Sequence, residues 1–375
     1  MIKKKLHIIG IVGLPNRYGG FETLAHNLVS NIRHFNYSTF VYSESTILHK
    51  KNKNYYGAKQ ILLPLKANGW QSILYDAISI IIASFKGGNL LILGTSGTFI
   101  LPFVRFFFPS INLIVNMAGL EWKRSKWSWF ASNCLKFNEW SAVRFSHILI
   151  ADNQGLVQYV REKYKKESKF IPYGGNQFSN ILEDMSVFSK FDLPDSIYDF
   201  AICRAQPDNN IDLILEAYSE SFDTIIFVSN WNNCDFGRRM IKKYSHVDNI
   251  FLIGPIYDSA MLKALRTHSR LYIHGHSAGG TNPSLVEAMW AQKPIFAFDV
   301  CFHKFTTYNN AMFFDSSSSL VSLLKNYSEE WANTSKELLY ENALQNYNWE
   351  DISNSYLKLL KKIKMNIYFI KIKST

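Results

Sequence analysis

The chain has 375 residues, 47% of them apolar and 19% charged, which excludes a disordered or collagen-like polymer and leaves room for two domains that each bury a core. Its net charge of +11 is unevenly divided. Residues 1–180 hold 22 Lys and Arg against 8 Asp and Glu, a net of +14, whereas residues 181–375 hold 19 against 22, a net of −3. The N-terminal half is therefore expected to face something anionic, with nucleic acid and an acidic membrane surface as the two candidates. Four cysteines (Cys134, Cys203, Cys234, Cys301) form no CxxC pair, which points to reduced thiols in a cytosolic compartment and to no zinc site. Lys3, Lys4 and Lys5 lead straight into a short strand-like run ending in glycine, so no secretory leader is expected.

Residues 6–12 read as an apolar strand, followed by a loop from Gly13 to Gly20. Phe21, Leu24, Ala25, Leu28, Val29 and Ile32 then recur at helical spacing, with Glu22 in the first turn. Gly19 and Gly20 fall at that helix's N-terminus. The loop is not GxGxxG, so the dinucleotide fingerprint is absent; it is either a plain tight turn or a loop that reaches a ligand. Short apolar runs at 39–42, 90–93, 111–115 and 148–151 alternate with helical stretches, which predicts a parallel sheet covered on both faces. Residues 87–104 lack charge, but Gly94, Gly97 and Pro102 interrupt them, favouring a buried strand and a helix start over a membrane span.

Residues 105–109 (RFFFP) and 122–129 (WKRSKWSW) mix rings with cations. That mixture suits a membrane interface, single-stranded nucleic acid, or core rings beside solvated charges. A last strand at 169–173 precedes a polar stretch with Pro194, where the first domain is expected to end: residues 1–178 form one domain and 179–375 the other. The second series begins with a strand at 198–203 and a helix at 211–218, and strands follow at 224–229, 249–253, 271–273 and 294–298. Arg204, at the carboxyl end of its strand, stands where open α/β sheets hold ligands, and a guanidinium can grip a diphosphate through two parallel hydrogen bonds.

The most informative stretch is 274–291, HGHSAGGTNPSLVEAMWA. A glycine turn after a strand leads to Asn282 as a candidate N-cap and Pro283 as a first helical residue. Such a turn presents free N–H groups and admits a phosphate closely. Glu287, one turn in, suits sugar hydroxyls, so the stretch is expected to form the pocket for a nucleotide-sugar diphosphate. Glycine-rich turns are also ordinary in any α/β protein. Finally, Ile352, Tyr356, Leu359, Leu360 and Ile363 form a helical stripe, and the lysine-rich tail at 361–373 either packs back on the first domain or touches a membrane.

Three strings, YGGFET at 18–23, GLEWKRSKW at 119–127 and HGHSAGGTNPSLVEAM at 274–289, resemble the bacterial rhamnosyltransferase-like branch of glycosyltransferase family 4, which assembles capsular and other surface polysaccharides. The resemblance implies a GT-B architecture: two Rossmann-like domains facing a cleft, with a last helix at about 350–363 crossing back to the first. It implies a retaining, metal-independent transferase, consistent with the absence of a DxD triplet. The expected donor is dTDP-rhamnose and the expected acceptor a polyprenyl-diphosphate-linked glycan. The protein is expected in the cytoplasm, peripheral on the inner face of the bacterial plasma membrane, with its basic N-terminal domain on the anionic surface. By the same resemblance Glu287 holds the nucleotide ribose and Arg204 the phosphates. Gly279, Gly280, Thr281 and Asn282 lie by the diphosphate and sugar, and Gly19 and Gly20 close over the diphosphate.

The chain departs from the family at three places. Gly279 replaces a glutamate, Asn209 and Asn210 stand where a phosphate-binding lysine is usual, and Ala118 takes the place of a cleft histidine or aspartate. Glu121 is the nearest carboxylate to act in its stead. Two alternatives remain open: a nucleotide-sugar-binding protein weakened in catalysis, and a family 4 transferase using another hexose. No RNA- or DNA-binding motif is present, so nucleic acid is not an expected partner.

Overall fold

The computed structural model describes residues 3–15, 19–32, 35–45, 54–117, 119–124, 127–194 and 196–372, the last eleven of these as backbone alone. The chain divides into two compact units. Unit 1 is Met1–Tyr173 with Trp349–Thr375, and unit 2 is Gly174–Asn348.

Unit 1 runs β1 (Lys4–Ile9), α1 (Gly20–Ile32), β2 (Tyr37–Glu44), β3 (Asn54–Tyr55), β4 (Ala58–Leu63), α2 (Ser72–Lys86), β5 (Asn89–Leu93), α3 (Leu101–Phe107), β6 (Asn112–Met117), α4 (Trp129–Phe145), β7 (Ile148–Ala151), α5 (Gln154–Tyr164) and β8 (Lys169–Phe170). Among the described residues these strands form one sheet in the order β3-β4-β2-β1-β5-β6-β7-β8. It is parallel throughout except for the β3–β4 pair. The central strands are buried on both faces, so they read as continuous apolar runs, such as NLLIL in β5. The charge-free stretch 87–104 is accordingly the expected buried strand and helix start, with Pro102 in the first turn of α3. Right-handed crossovers put α1 on one face and α2 to α5 on the other.

Unit 2 runs α6 (Ser186–Lys190), β9 (Asp199–Ile202), α7 (Ile211–Ser219), β10 (Ile225–Val228), α8 (Asp235–Tyr244), β11 (Ile250–Ile253), α9 (Ser259–His268), β12 (Tyr272–His274), α10 (Pro283–Trp290), β13 (Ile295–Phe298), α11 (Cys301–Thr307), β14 (Met312–Phe314), α12 (Ser317–Lys325) and α13 (Glu329–Asn346). Its described strands form a parallel sheet in the order β11-β10-β9-β12-β13-β14.

The chain then returns to unit 1 in α14 (Trp349–Ile372), which runs nine residues past the expected end at 363. Its stripe of Ile352, Tyr356 and Leu360 joins the core with Leu24 and Leu28 of α1. Asn31 Nδ2 donates to Ser353 Oγ (3.0 Å), and Asn116 Nδ2 on β6 donates to the Tyr356 hydroxyl (2.7 Å). All four cysteines are free thiols. Among the described residues no helix is long and apolar enough to cross a membrane.

Candidate functional site

The unit 2 sheet winds one way from β9 through β10 to β11, and the other way from β12 through β13 to β14. The reversal falls between β9 and β12, which pair in parallel with Phe200 opposite Tyr272. At such a point successive crossovers leave for opposite faces, and the loops at the strands' carboxyl ends part to form a crevice. The loop after β9 carries Arg204, and the loop after β12 is the glycine-rich stretch.

These two loops are joined side by side. Asn210 Nδ2 donates to the Gly275 carbonyl (2.8 Å), and the backbone N–H and Oγ of Ser277 both donate to the Asp208 carbonyl (2.8 Å each). A Cβ on Gly275 would lie 2.3 Å from the Asn209 carbonyl oxygen, so only glycine allows the approach. Asn209 is buried and donates from Nδ2 to the Arg204 carbonyl (2.7 Å). Asn209 and Asn210 thus build the loop pair. The Arg204 side chain is exposed at its rim.

Asn282 occupies the N-cap of α10 with extended backbone, and Pro283 follows as expected, but its side chain does not cap the helix. This corrects the sequence-based expectation. The Asn282 amide turns instead to His303 Nε2 (3.3 Å), while His303 Nδ1 bonds the Phe298 carbonyl (2.7 Å). A carbonyl only accepts, so Nδ1 carries the proton and Nε2 is the acceptor. Burial lowers His303 to about 4 and pushes His274 well below the usual imidazole value. Both rings are therefore neutral near pH 7. His274 stacks on His276 at 4.4 Å and meets His303 edge-on at 4.7 Å. The two rings under the N-terminus of α10 are thus polar and uncharged, and the N–H groups of that helix's first turn carry the positive end of the helix dipole. Gly279 has φ +139°, while Gly280 and Thr281 are buried beside it.

Glu287 faces inward and meets a partner absent from the sequence-based expectation, Arg266 of α9, whose side chain is 5% exposed. Arg266 Nη2 pairs with Glu287 Oε2, and Gln177 Nε2 donates to Oε1 at 2.5 Å. The Arg266 guanidinium lies over the Phe178 ring at 4.8 Å, with Nε and Nη1 unpartnered. Burial raises the Glu287 carboxyl, and Arg266 and Gln177 pull it back down. Each carboxylate oxygen keeps a second lone pair for a further donor. The one sequence signal for Arg266 was a cation within the apolar inner face of α9, beside Leu262 and Leu265.

Of the remaining expected site residues, Gly19, Gly20 and Glu121 belong to unit 1. Gly20 opens α1, and Thr23 donates its N–H to the Gly19 carbonyl (3.1 Å). Glu22 Oε1 accepts the Val12 N–H (2.8 Å), and Gln60 bonds both the N–H and the carbonyl of Leu14 (3.1 and 2.9 Å). Glu22 and Gln60 therefore fasten the first glycine loop. Residues 16–18 and Ala118 lie outside the described residues.

Glu121 begins a short 3-10 turn, Glu121–Lys123. Its Oε2 pairs with Arg124 Nε at 2.7 Å, and its Oε1 accepts from Trp127 Nε1 at 3.3 Å. Both oxygens already hold protein donors. The next residue of the turn, Trp122, reaches Glu139, which sequence reasoning passed over. This buried carboxylate accepts from Trp122 Nε1 (2.8 Å), the hydroxyls of Tyr159 and Tyr164 (2.6 Å each) and Lys163 Nζ (3.1 Å).

Residues 3–176 match the family described as "Domain of unknown function (DUF1972)". No curated protein matches the sequence. Among solved structures the fold is similar to sucrose-phosphate synthase from Thermosynechococcus elongatus, with TM-score 0.79 and 14% identity over 97% of this chain and 100% of that one. It is also similar to Anabaena HepE in complex with UDP-glucose (TM-score 0.74, 13% identity, 96% and 100% covered). A third is a glycosyltransferase from Rickettsia africae (TM-score 0.69, 15% identity, 97% and 99% covered). The fold class is GT-B.

Proposed function

We propose that this chain is a glycosyltransferase that takes a nucleotide-diphosphate sugar on unit 2. The observation that carries the proposal is the sheet reversal between β9 and β12. It brings an exposed arginine, a close-packed glycine loop and the N-terminus of α10 to one crevice. Arg204 and the α10 N–H groups stabilise the leaving diphosphate, and Gly279, Gly280, Thr281 and Asn282 line its path. Glu287, held by Arg266 and Gln177, accepts from the ribose hydroxyls. Preorganised donors of this kind, aimed at charge that develops as the bond breaks, are usually the largest contribution to catalysis.

The sequence resemblance supports a retaining transfer without metal, from dTDP-rhamnose to a polyprenyl-diphosphate-linked glycan. The acceptor hydroxyl attacks from the face the diphosphate leaves, and the departing phosphate takes its proton. The resemblance likewise assigns Gly19 and Gly20 to the diphosphate and leaves Glu121 as the candidate carboxylate nearest in sequence to Ala118. The likeness to HepE, a structure with UDP-glucose, supports a uridine nucleotide as the second donor to test.

The test is calorimetric binding and turnover of dTDP-rhamnose and UDP-glucose by the full chain. Arg204→Ala is expected to weaken binding roughly tenfold to hundredfold, the worth of a charge-assisted phosphate contact, without changing the melting temperature. Release of free nucleotide diphosphate establishes transfer or hydrolysis, whereas binding without release identifies the non-catalytic alternative. If neither nucleotide sugar binds, the proposal is overturned.

A further inference from the structure

The outer face of unit 1 carries a second kind of surface, on α2, α3 and α4. The three helices lie side by side. Phe85 near the end of α2 meets Phe108, just past α3, with ring centroids 5.1 Å apart. The turn that leads into α3 is fastened to α4 by two hydrogen bonds, Thr98 Oγ1 to the Asn138 carbonyl and Ser141 Oγ to the Thr98 carbonyl (2.6 Å each). Each helix buries one side on the sheet through residues such as Ile80, Val104 and Ala142. Their other sides ought to be polar in a freely soluble protein. They are not.

On α3, Phe103, Phe106 and Phe107 are 60 to 78% exposed, and on α4 Trp129 and Phe130 are 80% and 71% exposed. Phe137 and Trp140, one turn apart on α4, stack on each other in the open. Phe106 and Phe107 of the RFFFP string, one reading of which was core, are therefore surface residues, while Phe108 is half-buried. Trp122 differs, because its indole is tied to Glu139.

Charge divides just as sharply. The three helices contain two carboxylates, Asp76 and Glu139, and both are buried. They contain four cations, Lys86, Arg105, Lys136 and Arg144, and all four are exposed. An apolar face of this kind marks an interaction site, and unopposed positive charge around it selects an anionic partner.

We infer that the α2–α3–α4 face of unit 1 is a docking surface for an anionic lipid bilayer. Its rings enter at headgroup depth, and Lys86, Arg105, Lys136 and Arg144 meet lipid phosphates. Rings that combine an apolar body with a neighbouring cation suit that boundary. Attachment is in the plane of the surface, because none of the described helices can span. The inference stands apart from the nucleotide-sugar proposal, since none of these residues belongs to the donor crevice.

Co-sedimentation of the full chain with vesicles of phosphatidylcholine, with and without about one-third phosphatidylglycerol, tests it. The wild type is expected to bind the anionic vesicles and to leave them at high salt. Phe106→Ser/Trp129→Ser/Phe130→Ser is expected to lower the partition coefficient at least about tenfold, the consequence of three apolar side chains no longer leaving water. Lys136→Glu/Arg144→Glu should abolish the preference for anionic lipid. Unchanged circular dichroism and melting temperature in both variants would show that they fold, as exposed positions allow. Vesicle binding that is equal in wild type and triple variant overturns the inference. So does a wild type that ignores vesicles, whether it is monomeric or forms dimers that the triple variant cannot.

Discussion

Each unit reverses the winding of its sheet at one point, between β1 and β5 in unit 1 and between β9 and β12 in unit 2, and the two points are lined by different groups. In unit 1, Asp76, Glu44 and Glu22 lie around Tyr75, whose hydroxyl donates to the Ile11 carbonyl (2.9 Å). Burial, reinforced by those carboxylates, pushes the Tyr75 phenol well above its usual value. Asp76 is buried with Oδ1 unpartnered, and burial alone raises its carboxyl well above 3.8. In unit 2 the corresponding place holds an exposed arginine, a helix N-terminus and neutral imidazoles. The topology supplies a crevice in both units, and the side chains give each its own lining. The outer faces contrast as well: among the described residues, seven of the ten exposed aromatics of unit 1 lie on α3 and α4, whereas those of unit 2, Phe222, Tyr257 and Tyr308, are scattered in sequence.

The sharpest way to break this comparison is to unpair Glu287. Arg266→Ala is expected to cost about 3–5 kcal/mol in chemical denaturation, the penalty for breaking a buried ion pair. Removing both partners in Arg266→Ala/Glu287→Leu should recover part of that loss. Arg124→Ala, which breaks the partly exposed pair with Glu121 in unit 1, should cost no more than about 1 kcal/mol. Equal costs for the two single variants would refute the distinction.

A second prediction follows from His303, whose folded value of about 4 lies below its ordinary 6.5. A depressed imidazole contributes stability that is fully present above pH 6.5 and is lost as pH falls toward 4, a span worth up to about 3 kcal/mol. Unfolding free energies measured between pH 8 and 4 should fall more steeply in the wild type than in His303→Gln. Parallel curves would exclude a neutral buried ring.

The last effect, at Asp76, has the opposite sign. Its folded value is raised above 3.8 by burial, so its contribution is present below pH 3.8 and is lost as pH rises. Asp76→Asn should therefore melt above the wild type at pH 7, and the difference should close on acidification below the ordinary carboxyl value. A variant less stable than wild type at neutral pH would show that the carboxylate has a partner.

Much of the crevice between β9 and β12 was legible locally. Arg204 at a strand end, the glycines before α10 and Pro283 in its first turn announce themselves through steric preferences that act over a few residues. The alternation of apolar runs with helical spacing likewise determined the α/β class, and the stripe of Ile352, Tyr356 and Leu360 announced the helix that joins unit 1. Other elements escaped for equally local reasons. In β4 Lys59 and Gln60 interrupt the apolar pattern, although Gln60 is buried and bonds Leu14. The three-residue β14 is too short to show a period.

What the tertiary structure alone decided are contacts between distant parts of the chain. It placed β12 beside β9, which makes the crevice, and brought Arg266 and Gln177, 21 and 110 residues away, onto Glu287. It gathered four donors onto Glu139 and turned the phenylalanines of α3 outward. Apolar character tells a side chain that it favours burial, but not which neighbour will cover it, and a carboxylate does not announce its donors. Those outcomes depend on which elements the fold sets side by side, and no short-range preference encodes that arrangement.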